Sequence, residues 1–284
     1  MTAPLSIFLP VTHYVPRYLE EGVASVFSQT SPDWELLLVV DSDRIGHFTD
    51  FLQGAAGDPR VRVIGRQGGA GLAAAYNTAM RQARTPFMTP LLGDDLLAPE
   101  AVSVLQTARA ERPEVDFFFS GRRYIDDEGG AISGAYLPHE PLTRERFIAG
   151  SPVKHLMCWR VAAALACGGV DPSLGNFAAD DYDFPWTMFE SGAIFKALPQ
   201  VLYLYRDHRM GVRLTTHITK DIQKWTLRAI LKKHGVPEAI VREQVRVASR
   251  GYMRQSLFRN AWHRRLHEWI GMRPGRAWRE PYRQ

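Results

Sequence analysis

The chain has only two cysteines, Cys158 and Cys167, in 284 residues. That is too few for a disulfide framework and fits a reducing compartment. It lacks any run of about 18 apolar residues, so no membrane-spanning helix is expected. The opening stretch "MTAPLSIFLPV" lacks a basic flank and is short, so it reads as a first strand rather than a signal peptide. There is no internal repeat and no low-complexity linker. Together these absences exclude a small stapled domain, a membrane span and a repeat array, and they place the chain in the cytoplasm or peripherally on the inner face of a membrane.

What is present suits a globular protein of one large or two modest domains: 45% of the residues are hydrophobic and 11% aromatic. The net charge of +5 is unevenly placed. Residues 220–284 hold 16 of the 35 Lys and Arg but only 5 of the 30 Asp and Glu, so they carry +11 and the rest carries −6. A basic tail on an acidic body implies an anionic partner for the tail.

The first half alternates buried-type strands ("LSIFLPV", "WELLLVV", "VRVIG", "FMTPLL", "VDFFFS") with helical patterns ("VPRYLEEGVASVFSQ", "IGHFTDFLQGAA", "GLAAAYNTAMRQA", "PEAVSVLQTARAE"). Pro99 reads as part of the last helix's first turn. This alternation predicts a parallel sheet with helices on both faces, and ligands then bind beyond the carboxyl ends of the strands. The residues to watch there are Thr12, His13, Asp41, Asp43, Arg66, Gln67, Asp94 and Asp95.

Gly69-x-Gly71-x-x-Ala74 lies between a strand and a helix, with Asp94 about 20 residues on, which satisfies a dinucleotide fingerprint and keeps a nicotinamide oxidoreductase as an alternative. Against it, the motif follows the third strand rather than the first, and the acid is doubled. The plain reading is a flexible turn with small residues under a helix. Adjacent Asp residues are commonly turn formers or helix caps. At the end of a buried strand, however, the charges of Asp94 and Asp95 repel unless a cation neutralises them, which suggests a divalent cation carrying phosphates. A second cluster, Asp180, Asp181 and Asp183, opens an amphipathic helix, where acids favour the dipole or serve as a general base. "VLYLYRDHRMGVR" ends a strand with Arg206, His208, Arg209 and Arg213, a candidate phosphate or metal contact.

Over roughly residues 4–214 these motifs resemble, in order, family 2 of the inverting nucleotide-sugar-dependent glycosyltransferases. "SVFSQTSPDWELLLVVDS" is similar to that family's "ESVLSQTYxxWELIVVDD", and "GGAGLAAAYNTAMRQA" to its "NxGxxxARNxGxxxA". "LLGDDLLAP" resembles the DxD region, with Leu92 where many members have the first Asp. "ADDYDFPWTMFESGAIFKALPQVLYLYRDH" is similar to "EDYDLWLRLxxxGxIxxIPxxLYxYRxH". The resemblance implies an α/β GT-A (Rossmann-like), mostly parallel sheet flanked by helices, with a C-terminal helical extension. It implies a nucleotide-sugar half at 1–120, an acceptor half at 121–214 and a basic helical extension at 215–284. It places Pro10, Thr12, Tyr14, Asp41, Gly71, Asp94 and Arg206 at the donor, and Asp94, Asp95 and His208 at a Mn²⁺ or Mg²⁺ ion. Asp181 would be the catalytic base, with Asp180 beside it in place of a frequent Glu. The donor would be a UDP-, GDP- or dTDP-sugar, and the acceptor a glycan or lipid-linked hydroxyl in bacterial surface polysaccharide synthesis. A non-catalytic, degenerate glycan-binding relative is a further alternative. In the tail, Arg242, Arg246, Arg250 and Arg254 share a helix face, and Phe258, Trp262 and Trp269 follow among further arginines. The plain reading is helices packed on the domain; the sharper one is an anchor for an anionic membrane surface over 238–272, with no nucleic-acid module.

Overall fold

The computed structural model describes residues 4–259 apart from 12–13, 52, 70, 175–178 and 208–219. The chain divides into two compact units, residues 1–216 and 217–284.

In the first unit, β1 (Leu5–Pro10) and β2 (Trp34–Val40) are buried along their whole lengths. Burial on both faces is why they read as unbroken apolar runs. β1 runs parallel to β2, with Leu5 opposite Trp34 and Pro10 opposite Val39. β2 continues parallel to β3 (Val61–Gly65), and the other edge of β1 takes β4 (Phe87–Pro90), also parallel. Three helical crossovers connect these strands: α1 (Pro16–Phe27), then α2 (Ile45–Phe51) with α3 (Gln53–Ala56), then α4 (Gly71–Gln82).

Beyond β4 the sheet is mixed. In chain order come β5 (Leu96–Leu97), α5 (Ala101–Glu111), β6 (Phe117–Ile125), β7 (Ala131–Tyr136), α6 (Arg144–Ala149), β8 (Met157–Arg160), α7 (Val161–Ala166), α8 (Phe184–Glu190) and β9 (Phe195–Arg206). The strand order is β3-β2-β1-β4-β8-β6-β9-β5, with β7 beside β6. β8 is antiparallel to both β4 and β6, whereas β9 is parallel to β6. Helices cover both faces. One layer packs Leu5, Ile7, Leu36 and Leu38 with Leu19, Val23 and Val26 of α1 and Val102 and Leu105 of α5. The other is aromatic: Phe8 meets Tyr76 edge-on at 4.6 Å, and Trp159 stacks on Tyr76 and on Phe117.

Two boundaries differ from the sequence expectation. β4 ends at Pro90, so Asp94 and Asp95 lie in a turn rather than at a strand tip; the Asp95 N–H donates to the Leu92 carbonyl at 3.0 Å. Pro99 precedes α5 instead of sitting in its first turn, and its carbonyl accepts the Thr30 N–H.

The second unit holds α9 (Lys220–Lys233) and α10 (Glu238–Arg259). Ile230, Leu231, Val236, Val241 and Val245 are buried, and Glu238 pairs with Arg228 and Lys232. Arg246 pairs with Glu243. No helix among the described residues is long and apolar enough to cross a membrane.

Candidate active site

The carboxyl ends of β1 to β4 gather the residues expected at a donor. Pro10 closes β1 and is buried. Asp41 follows β2 and pairs with Arg66, which follows β3 and also donates from Nε to the Gly69 carbonyl. Tyr14 is half-buried. Its hydroxyl meets His47 Nε2 at 3.1 Å, its ring lies 5.1 Å from that of Phe48, and the Arg44 guanidinium stands over both rings. Gly71 opens α4 with φ +87°, a left-handed conformation that a side chain would strain. Thr12 lies outside the described residues.

In the acidic turn after β4, the two aspartates have different environments. Asp95 is 0% exposed; its Oδ2 accepts the Tyr203 hydroxyl at 2.8 Å and its Oδ1 the Arg206 N–H at 2.7 Å. Tyr203 in turn accepts the Leu92 N–H. The Asp95 carbonyl also comes close to α1: a Cβ on Gly22 would approach it to 3.2 Å. Both Asp95 oxygens thus take hydrogen bonds within the fold. The neighbouring Asp94 side chain is partly exposed.

Arg206 is held in the same way. Sequence reasoning places it on a diphosphate, but its side chain is 0% exposed. Nε donates to the Asp94 carbonyl, Nη1 to the Asp126 and Asp127 carbonyls, and Nη2 pairs with Glu21 at 2.5 Å. The guanidinium also lies 4.4 Å over the Tyr18 ring. A buried cation needs such a full set of partners, because desolvation otherwise outweighs its attractions. Arg206 therefore pins the acidic turn to α1 and to the β6–β7 hairpin. His208, the expected third metal ligand, lies outside the described residues, as do Arg209 and Arg213. Among the described residues no group of three or more His, Cys, Asp or Glu side chains is arranged to hold a metal.

Asp180 and Asp181 sit in a π-helical turn, Ala179–Asp183, that runs straight into α8. Pro185 explains the local widening: it has no N–H to return to the Asp181 carbonyl. The Ser151 hydroxyl donates to that carbonyl instead. Asp180 is 6% exposed and Oδ2 accepts the Tyr76 hydroxyl at 3.0 Å, with His155 Nε2 3.7 Å away. Burial alone pushes the Asp180 carboxyl up, but His155 and the Tyr76 hydroxyl outweigh it and the net direction is down. Asp181 is partly exposed and its carboxyl is raised, first by burial and then by the charge of Asp180, against the pull of Lys154, His155 and Arg122. Of the pair, Asp181 is therefore the carboxylate that holds a proton more readily.

Comparison with known proteins agrees with this architecture. The model of a family described as glycosyl transferase family 2 matches residues 6–165. The chain belongs to that family. Among curated relatives, the chondroitin synthase of Escherichia coli is 29% identical over 222 residues, 78% of this chain and 31% of that protein. The hyaluronan synthase of Pasteurella multocida is 24% identical over 220 residues, 75% of this chain and 22% of that protein. The chain thus spans about a third or less of the length of the first such relatives. Among solved structures, S. aureus TarS 1–349 in complex with UDP-GlcNAc superposes with a TM-score of 0.59 at 16% identity, covering 90% of this chain and 73% of that one. At that identity the likeness is one of fold, and the fold is GT-A. Family membership removes the basis of the nicotinamide reading; the glycines at 68, 69 and 71 are positive-φ turn residues after the edge strand β3.

Several functional candidates escaped sequence reasoning. His155 and Lys154 come from "PVKHLMCW", where a charged pair entering an apolar strand was the only available signal. Tyr76 and Asn77 lie on α4 with no local sign of their partners. Asn77 exchanges two hydrogen bonds with Val170 backbone atoms, at 2.8 and 2.9 Å, and so ties α4 to the segment leading to the π turn.

Proposed function

We propose that this chain transfers a sugar from a nucleoside-diphosphate donor to an acceptor hydroxyl with inversion. Residues 1–120 form the donor half, 121–214 the acceptor half, and 215–284 a basic extension. The carrying observation is the asymmetry of Asp180 and Asp181: one buried carboxyl is held ionised, and its partly exposed neighbour is raised. Asp181 accepts the acceptor's O–H proton as that oxygen attacks the anomeric carbon. The new C–O bond forms on the face opposite the leaving group, and the old one breaks with its electron pair departing on the diphosphate.

Tyr14 and Asp41 line the donor's nucleoside end. Tyr14 stands beside the ring of Phe48, and Asp41 is oriented by Arg66. Asp94 is the carboxylate for a Mn²⁺ or Mg²⁺ ion, which when bound neutralises charge on the departing diphosphate. The described donor set fits such an ion in one respect: magnesium-type sites use one or two carboxylates and complete their shell with phosphate oxygens and water. The relatives' names and the TarS complex with UDP-GlcNAc support a UDP-sugar donor and a polysaccharide product. The +11 charge of residues 220–284 supports an anionic membrane surface as a partner of the extension.

The test is a thermal-shift screen of UDP, GDP and dTDP and their sugars, with and without Mn²⁺ or Mg²⁺. Stabilisation follows ligand concentration over Kd. A metal-enhanced shift with UDP compounds, together with transfer or slow hydrolysis of the sugar, is expected. Binding with no turnover of any nucleotide sugar would instead mark a degenerate glycan-binding relative.

A further inference from the structure

His155 is 3% exposed, and its Nε2 is buried without a hydrogen bond among the described residues. Buried polar atoms are almost always partnered, so an exception asks for a reason. Two neighbours define its place. On one side the ring lies 5.4 Å from that of Tyr203, tilted by 32°. On the other, Nε2 points to Asp180 Oδ2 at 3.7 Å, an ion-pair distance longer than a hydrogen bond. Tyr203 donates to Asp95, so the imidazole stands between the Asp94–Asp95 and Asp180–Asp181 pairs.

We propose that His155 is a positioning residue for the acceptor-side pair: seated between Tyr203 and Asp180, it holds the negative charge on Asp180 and leaves Asp181 as the carboxylate that takes up the proton. This rests on the reading of Asp181 as the base. Adjacent carboxylates out of water cannot both ionise cheaply, so the protein must choose which one keeps the proton. The groups that face this choice are Tyr76 from α4, Lys154 and His155 ahead of β8, Arg122 from β6, Tyr203 from β9, and the two aspartates of the π turn. The Tyr76 hydroxyl is held protonated far above its ordinary range by burial and the Asp180 charge, so it is a fixed donor. Lys154 and Arg122 act on Asp181. His155 is the group among them that lies against Asp180 Oδ2 without a closed hydrogen bond.

The decisive variant is His155→Phe, which keeps a ring against Tyr203 and removes both nitrogens. Carboxyl resonances of ¹³C-aspartate-labelled protein, assigned with D180N and D181N, report the titration of the pair without any need for turnover. With the imidazole gone from beside Asp180 the pair should hold its proton to a higher pH, its midpoint rising by about one unit. The acid limb of kcat should move the same way, with the KM for nucleotide sugar and the UDP melting shift unchanged. His155→Gln, which retains an N–H donor without the imidazole, should fall between the two and serves as the deciding variant if the Phe form does not fold. A wild-type titration midpoint in the folded variant would overturn the proposal and reduce His155 to packing. If the wild-type protein turned over no nucleotide sugar, the base reading would fail, while the carboxyl titration would still decide what His155 does to Asp180.

Discussion

Asp94–Asp95 and Asp180–Asp181 are built on one plan and used differently. In each pair one carboxylate is buried and anchored: Asp95 by Tyr203 and the Arg206 backbone, Asp180 by Tyr76 and His155. In each the other is partly exposed. The anchors differ in kind. Asp95 takes two short hydrogen bonds from β9, so its pair is fixed as a structural corner with Asp94 projecting from it. Asp180 takes the Tyr76 hydrogen bond and a longer contact with His155, and its neighbour Asp181 is raised. Like-charge neighbours become useful when the protein binds one tightly and leaves the other to react.

The largest effect should separate the exposed members. Asp181→Asn should lower transfer by about 10²–10⁴-fold, the usual worth of a general base, with UDP binding intact. Retained turnover would erase the distinction between the pairs. Next is the corner itself. Arg206→Met should cost about 3–5 kcal/mol in urea unfolding, because Glu21 and three carbonyls lose a buried partner. A change under 1 kcal/mol, roughly the value of a surface pair, would mean that Arg206 is not the pin described. Asp94→Ala should leave the unfolding curve nearly unchanged while removing the Mn²⁺ or Mg²⁺ dependence of UDP affinity in calorimetry. Unaltered metal dependence would move the ion elsewhere. Tyr76→Phe should cost about 1 kcal/mol, the net value of one hydrogen bond.

The smallest effect has an informative sign. The Asp181 carboxyl is raised in the fold, so its ionised form opposes folding: its contribution improves as pH falls through the folded value. Asp180 is lowered, so its contribution is present above the unfolded value and lost as pH falls through the folded one. Asp181→Asn should therefore raise Tm slightly at neutral pH while lowering activity, and Asp180→Asn should lower Tm. Equal shifts of one sign would show the pair to be symmetric.

The parallel half of the fold was legible because strands buried on both faces are written as apolar runs, and α4 as small residues after glycines. The mixed half was not: nothing local announces that β8 slips between β4 and β6 in the opposite direction. The acidic positions were legible too. Their inequality was not, because it depends on Tyr76, which is 104 residues from Asp180, and on Tyr203, which is 108 from Asp95. The partners of Arg206 were hidden for the same reason. A cation after a strand looks like a ligand contact until Glu21, 185 residues away, is seen beside it.

The π turn at Ala179–Asp183 sets the phase between chemistry and core. Phe184, Trp186 and Met188 of α8 are locked into the interior, so the helix cannot turn to accommodate a change upstream. Each residue of a regular helix advances the azimuth by about 100°. Deleting one residue from the wide turn would leave a smoother helix and swing the acidic pair off its bearing, away from Tyr76 and His155. In this segment the length of the chain is as much a part of the site as its side chains, and a single-residue indel would be costlier than most substitutions.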